Sequence, residues 1–237
     1  MKHARGISVI IPCYNEQLEL PKTIDYLMDF LEENFSTYEL IIISDGSTDR
    51  SAKVVNNIIK FNGWFKTLKL IDYKVNHGKG YAVKQGLLSA KNDLIMILDC
   101  DLSVKPENIL ITLKHYKTTE PFLFIGQRIQ AVSQPKYRLF LGWCFRQLTR
   151  FVMKFDIKDT QCPYKILNKV DKRYFEQLSI KGFAYDVDLI NTVTKYADVV
   201  LYTYEVIYYN NDNSSVTFTK TLRMAWDLIL IGFMRWK

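Results

Sequence analysis

Three histidines and four cysteines are few for a chain of 237 residues, and Cys13, Cys100, Cys144 and Cys162 contain no Cys-x-x-Cys pair. Neither a zinc site nor a disulfide framework is suggested, and a reducing compartment, the cytoplasm, is the simpler setting. Long apolar runs are also missing. No stretch approaches the ~18 residues that a membrane-spanning helix needs. Met1 to Gly6 place no apolar segment ahead of the first strand-like run, so no ordinary secretory signal is expected. If this protein meets a membrane, the sequence predicts that it lies on the surface. No low-complexity linker and no internal repeat is present, and residues 1–237 are expected to form one α/β domain.

What is present is a globular composition, 48% hydrophobic and 24% charged, without the polar bias of disordered chains. The 32 Lys and Arg exceed the 25 Asp and Glu, for a formal net charge of +7 that favours an anionic partner. Nucleic acid, an anionic lipid surface and a phosphate-bearing substrate share that sign. Nucleic acid fits least: the cations are dispersed, no nucleic-acid motif is found, and acidic pairs fall where a phosphate backbone would lie.

Short apolar runs at Ile7–Ile11, Leu40–Ile43, Leu68–Ile71, Leu94–Leu98 and Phe122–Ile125 are expected to be strands buried on both faces. Amphipathic segments separate them. Ile24, Leu27, Met28 and Leu31 mark a helix over Thr23–Asn34, and Val54, Val55, Ile58 and Ile59 mark another over Ser51–Phe61. Alternation of this kind predicts right-handed βαβ units and a mostly parallel sheet, with ligands beyond the carboxyl ends of its strands. The second half is less regular. It offers an aromatic and basic helix from about Lys136 to Phe155, a polar turn at Lys158–Lys165, and a closing amphipathic helix from Phe218 onward.

Polar chemistry stands at the predicted strand ends. Asp99 and Asp101 follow an apolar run, and residues i and i+2 of a strand share a side, so the two carboxylates are expected to converge on a divalent cation. The alternative is that Asp101 or Ser103 caps the helix beginning near Pro106 and Glu107. Asp45-Gly46-Ser47-Thr48-Asp49 is equally a site or a strand-to-helix turn with Asp49 as cap. In His77-Gly78-Lys79-Gly80 the glycines permit close backbone approach and Lys79 carries a charge suited to phosphate, although lone glycine-rich turns are common.

Taken in order, Val9-Ile10-Ile11-Pro12-Cys13-Tyr14-Asn15-Glu16, Asp45-Gly46-Ser47-Thr48-Asp49, Gly78-Lys79-Gly80 and Asp99-Cys100-Asp101-Leu102-Ser103 resemble the inverting family-2 glycosyltransferases of GT-A fold. Asp159-Thr160-Gln161-Cys162-Pro163-Tyr164-Lys165, Phe183-Ala184-Tyr185-Asp186-Val187-Asp188 and Asn213-Ser214-Ser215-Val216 extend the resemblance to the branch acting on dolichyl and polyprenyl phosphates, its β-glucosyltransferases in particular. The resemblance implies that Pro12, Tyr14, Glu16 and Asp45 hold the nucleoside and that Asp99 and Asp101 serve Mg²⁺ or Mn²⁺ and the donor diphosphate. It also implies that Ser103 completes the metal site and that Arg128 faces phosphate. The sequence departs from the family at Ser44, where a second acidic residue is common, and at Pro163, where glycine is usual.

Inverting transfer is an in-line displacement that needs a neutralised diphosphate leaving group and a nucleophile on the opposite face. A sugar hydroxyl as nucleophile requires a carboxylate base, with Asp159, Asp186 and Asp188 as candidates. A lipid monophosphate, with a second pKa near ~6, is already an anion at neutral pH. It calls instead for cations, with Arg128, Arg138 and Lys165 as candidates and Asp159 and Asp186 orienting them. The expected reaction is glucose transfer from UDP-glucose to such a lipid, the rivals being mannose from GDP-mannose, a saccharide hydroxyl as acceptor, or an inactive nucleotide-sugar binder. Residues 1–130 are expected to bind the nucleotide sugar and 131–237 the acceptor. Trp226, Phe233 and Trp236, with Arg223, Arg235 and Lys237, are the expected contact set for a membrane interface.

Overall fold

The computed structural model describes residues 2–3, 5–115, 120–130, 146–147, 149–150, 157–197, 199–209, 226–228 and 230–232. Most of the helix expected over 136–155, with Arg138, lies outside the described residues, as do 213–216, Arg223, Phe233, Arg235, Trp236 and Lys237.

Seven strands form one mixed sheet in the order β3-β2-β1-β4-β6-β5-β7. β1 (Ile7–Cys13), β2 (Tyr38–Ser44), β3 (Leu68–Asp72) and β4 (Leu94–Ile97) are parallel neighbours. β5 (Phe122–Gln130) and β7 (Val200–Tyr208) are parallel to each other. Between β4 and β5 runs β6 (Lys165–Asn168), antiparallel to both.

The helices are α1 (Leu20–Asn34), α2 (Ser51–Asn62), α3 (Lys79–Ser89), α4 (Asn108–His115), α5 (Lys172–Phe175) and α6 (Tyr185–Tyr196). α1 opens with Pro21 in its first turn, where a missing N–H costs nothing, and it buries the expected Ile24, Leu27, Met28 and Leu31. These side chains join Ile7, Val9, Ile11, Leu40 and Ile42 on one face of the sheet. Ile10, Ile41 and Ile43 point the other way, against Ala82, Val83 and Leu87 of α3 and near Leu189, Ile190 and Val193 of α6. Continuous apolar runs are what strands covered on both faces require.

Two expectations are corrected. β3 is not buried on both faces, because it is an edge strand: Leu68 is buried while Lys69 and Asp72 are exposed. Nor do Asp99 and Asp101 share a side by strand alternation. β4 ends at Ile97, and the two residues sit in a turn closed by Leu102 N–H donating to the Asp99 carbonyl at 3.2 Å, with Leu102 at φ 47°. Among the described residues no helix is long and apolar enough to cross a membrane. Trp226 is exposed, while Leu228 and Ile231 are buried with Ile180, Ala184 and Val187.

Candidate active site

The carboxyl ends of β1, β2 and β4 deliver three loops to one cleft. The first, after β1, carries Pro12, half-exposed Tyr14 and Glu16. It is fastened to the loop after β2: Asn15 Oδ1 accepts from Thr48 N–H at 2.7 Å, Glu16 N–H donates to Ser51 Oγ at 2.9 Å, and Gln17 N–H donates to Asp49 Oδ2 at 3.1 Å. Asp49 also accepts from the N–H of Ser51 at 2.8 Å, so it supports the start of α2.

Asp45 is buried and holds the third loop. Its Oδ1 accepts from His77 N–H at 2.9 Å and its Oδ2 from Gly78 N–H at 2.7 Å. Ser44, in place of a second acid, is fully buried and donates from Oγ to Ser47 Oγ at 3.1 Å. The glycines of this third loop are steric necessities. Gly78, at φ 103°, lies against the Lys181 carbonyl. A Cβ on Gly80 would meet Tyr185 Cβ at 2.6 Å and come closer still to the Ile180 carbonyl. This packing seats the α3 amino terminus against the entry to α6 and brings Lys79 Nζ to 2.6 Å from Asp99 Oδ1.

Asp101 Oδ1 accepts from Ser103 N–H at 3.0 Å, and the Ser103 carbonyl accepts from Tyr209 N–H at 2.8 Å. Burial raises the Glu16 carboxyl, and repulsion by Asp101, Glu19, Asp49 and Asp99 raises it further. Negative charge thus accumulates where a cation is expected. Among the described residues no three His, Cys, Asp or Glu side chains form a ready-made cage. The donor set is that of a hard cation held by one or two carboxylates and completed by substrate phosphate oxygens.

The other end of the site is built by β5, β6, β7 and α6. Arg128, near the end of β5, donates from Nε to Asp159 Oδ2 at 2.5 Å and from Nη2 to Asp159 Oδ1 at 2.9 Å. The Tyr208 ring lies 5.3 Å from the guanidinium carbon, and Asp159 N–H donates to Gln127 Oε1 at 2.9 Å. Burial opposes the charge on Asp159, but the hydrogen bonds and charge of Arg128 hold its carboxyl below the usual range.

Lys165 does not line the open cleft. It has no exposure, donates from Nζ to the Cys162 carbonyl at 2.6 Å, and stands 2.5 Å from Asp186 Oδ1. That oxygen has no hydrogen bond of good angle, so the contact is an ion pair. Burial raises the Asp186 carboxyl, with Lys165 and Lys79 acting against it. The Tyr185 ring has Lys79 Nζ and Lys165 Nζ each 6.0 Å from its centroid. Asp188 is committed elsewhere: its Oδ2 accepts from Ser179 N–H at 2.8 Å and Ile180 N–H at 2.9 Å.

Six of the sequence-selected residues, Lys79, Asp99, Arg128, Asp159, Lys165 and Asp186, are thus joined in ion pairs that no motif states. Tyr185, Tyr208 and Tyr209 were not assigned roles from the sequence. Tyr185 stands beside Asp186 in a motif already singled out, but the two C-terminal tyrosines gave no signal without β7.

Solved structures of GT-A fold share this architecture. Mycobacterium tuberculosis glucosyl-3-phosphoglycerate synthase, with Mn²⁺, UDP and phosphoglyceric acid, matches with a TM-score of 0.70 at 15% identity over 98% of this chain and 78% of that one. Rubrobacter xylanophilus mannosyl-3-phosphoglycerate synthase matches with a TM-score of 0.68 at 14% identity over 98% and 73%. The glycosyl transferase family 2 model covers residues 8–175, and the chain belongs to that family. It is similar to dolichyl-phosphate beta-glucosyltransferases of Dictyostelium discoideum, 30% identical over 96% of this chain and 74% of the relative, and of Homo sapiens, 28% over 96% and 75%. The Mus musculus enzyme of that name is 31% identical over 78% and 62%.

Proposed function

We propose that this glycosyltransferase moves glucose from UDP-glucose to a dolichyl or polyprenyl phosphate, working from the cytoplasmic face of a membrane. The observation that carries this reading is that each candidate base is already engaged. Asp159 is paired with Arg128, Asp186 with Lys165, and Asp188 with backbone N–H groups. A sugar hydroxyl would be left without a proton acceptor, whereas a phosphate monoester needs none and benefits from cations. The names of the curated relatives point to the same acceptor and sugar.

In this reading Pro12, Tyr14, Glu16 and Asp45 bind the nucleoside in the half formed by residues 1–130. Asp99 and Asp101, with Ser103 beside them, hold Mg²⁺ or Mn²⁺; when bound, the cation neutralises charge on the departing diphosphate. Lys79 supplies a further positive charge at that end. Arg128, oriented by Asp159 and the Tyr208 ring, presents its remaining donor edge to the acceptor phosphate from the half that includes 131–237. Lys165 and Asp186 support that edge from beneath. Exposed Trp226 is the described member of the surface expected to rest on lipid.

Labelled glucose from UDP-glucose and, in parallel, labelled mannose from GDP-mannose are offered to a short polyprenyl phosphate in detergent, with Mn²⁺ or EDTA. Chelator-sensitive label on the lipid from UDP-glucose, lost in Asp101→Asn, is the expected result. Label from GDP-mannose alone reassigns the sugar. No label on lipid, despite UDP binding, removes the acceptor assignment.

A further inference from the structure

The turn that carries Asp99 and Asp101 does not hold itself. Leu102 sits at φ 47°, a left-handed conformation that a residue with a side chain keeps only where its surroundings impose it. Contacts from two sides impose it here. From α1, the buried Thr23 donates from Oγ1 to the Cys100 carbonyl at 2.6 Å. From the far side, Tyr209 N–H donates to the Ser103 carbonyl at 2.8 Å, and Ser103 N–H donates to Asp101 Oδ1 at 3.0 Å. Tyr209 lies one residue past the last paired position of β7, Tyr208 opposite Gln130, so the ladder of the sheet ends just before it. Lys105 stands between the two sides. Its Nζ is 5.1 Å from the ring centroid of Tyr26, on α1, and 5.9 Å from that of Tyr209, both within the range over which a cation is attracted to a ring face. Tyr26 follows Thr23 by three residues, so the two share a face of α1, and its hydroxyl donates to Glu107 Oε1.

We propose that Lys105 is a positioning residue for this turn: it clasps the rings of Tyr26 and Tyr209, keeps the residue after β7 on the Ser103 carbonyl, and so fixes where Asp101 stands. The inference rests on the reading above in which Asp99 and Asp101 hold the cation and the donor diphosphate. Lys105 touches neither in this scheme and acts through Tyr209. Its effect is confined to one end of the site. Tyr208 is kept over the Arg128 guanidinium by the pairing of β7 with β5, which does not involve Lys105. Lys105, Tyr26 and Tyr209 are all exposed, so replacing any of them leaves the core intact.

Calorimetric titration of the whole chain with UDP in excess Mn²⁺ tests this, beside geranyl phosphate, a short isoprenoid monophosphate, as the probe of the Arg128 end. Lys105→Met keeps the stem and removes the charge. Tyr209→Leu removes the ring and keeps both the Lys105 charge and the backbone N–H at 209. Each is expected to weaken UDP by about three- to tenfold, and the double variant by no more than the weaker single one, because both break the same contact. Lys105→Arg, which keeps a cation against the rings, is expected to stay within about twofold of the wild type. Geranyl phosphate affinity is expected to change by less than about twofold in every variant. A Lys105 that served only as a charge near the diphosphate would give a loss in Lys105→Met and none in Tyr209→Leu, and that result overturns the inference. So does a lowered Tm with UDP affinity intact, a double variant whose losses add, or geranyl phosphate weakened as much as UDP. A wild type that binds UDP no better with Mn²⁺ than with EDTA removes the metal reading and the inference together.

Discussion

Arg128 and Asp159 meet through two parallel contacts, Nε to Oδ2 at 2.5 Å and Nη2 to Oδ1 at 2.9 Å. The pair spends one edge of the guanidinium on orientation and aims the other. Charge-assisted bonds of this kind contribute about 1.5–3 kcal/mol each. Asp159→Asn is therefore expected to weaken acceptor use about 10- to 100-fold in KM, with UDP affinity unchanged within about twofold. Loss of UDP binding to the same extent would refute the division of labour.

Asp159 also sets a pH response. Its carboxyl lies below the usual range, so it stabilises the fold at pH above the unfolded value of ~3.9 and loses that contribution as pH falls through the lower folded value. The difference in unfolding free energy between the wild type and Asp159→Asn is expected to stay level from pH 7 to about 5 and to shrink only in stronger acid. Urea midpoints across that range measure it; a difference already gone at pH 6 contradicts the assignment.

Tyr208 lies over the same guanidinium, a contact worth about 0.5–2 kcal/mol. Tyr208→Ala is expected to raise acceptor KM by about 2- to 30-fold, and Tyr208→Phe to restore most of it. Steady-state kinetics with both variants separates the ring from its hydroxyl. No recovery in the Phe variant would assign the effect to the hydroxyl.

Gly80 is expected to tolerate no side chain. Ala at this position drives its Cβ into the Tyr185 Cβ and the Ile180 backbone carbonyl, a clash costing about 1–3 kcal/mol. A lower denaturant midpoint, with weaker UDP binding because Lys79 shifts, is the expected outcome. A midpoint equal to that of the wild type would show that the α3 entry can move.

β1, β2 and β4 were legible because strands covered on both faces are written as unbroken apolar runs, and α1 because its stripe repeats with helical period. β6 was not: four residues beginning with a lysine carry no strand pattern, and Lys165 is buried only because Asp186 arrives from α6. β7 mixes three tyrosines, Thr203 and Glu205 into a half-covered strand, and α6 was noticed for its aspartates rather than its period. Asp99 and Asp101 do lie together just past the end of one strand, but a turn places them there and not the strand alternation expected. Lys79 and Asp99 were each selected without their contact, which depends on Gly80 packing against Tyr185.

β6 also decides where this protein can be cut. The proposed functional halves meet near residue 130, yet β6 belongs to the later half and lies between β4 and β5 of the earlier one. A fragment ending at 130 would present the edges of both strands unpaired, an invitation to intermolecular pairing. The proposed donor and acceptor roles are therefore expected to be separable by point substitution but not by dissection, and any split version must exchange a strand to regain its sheet.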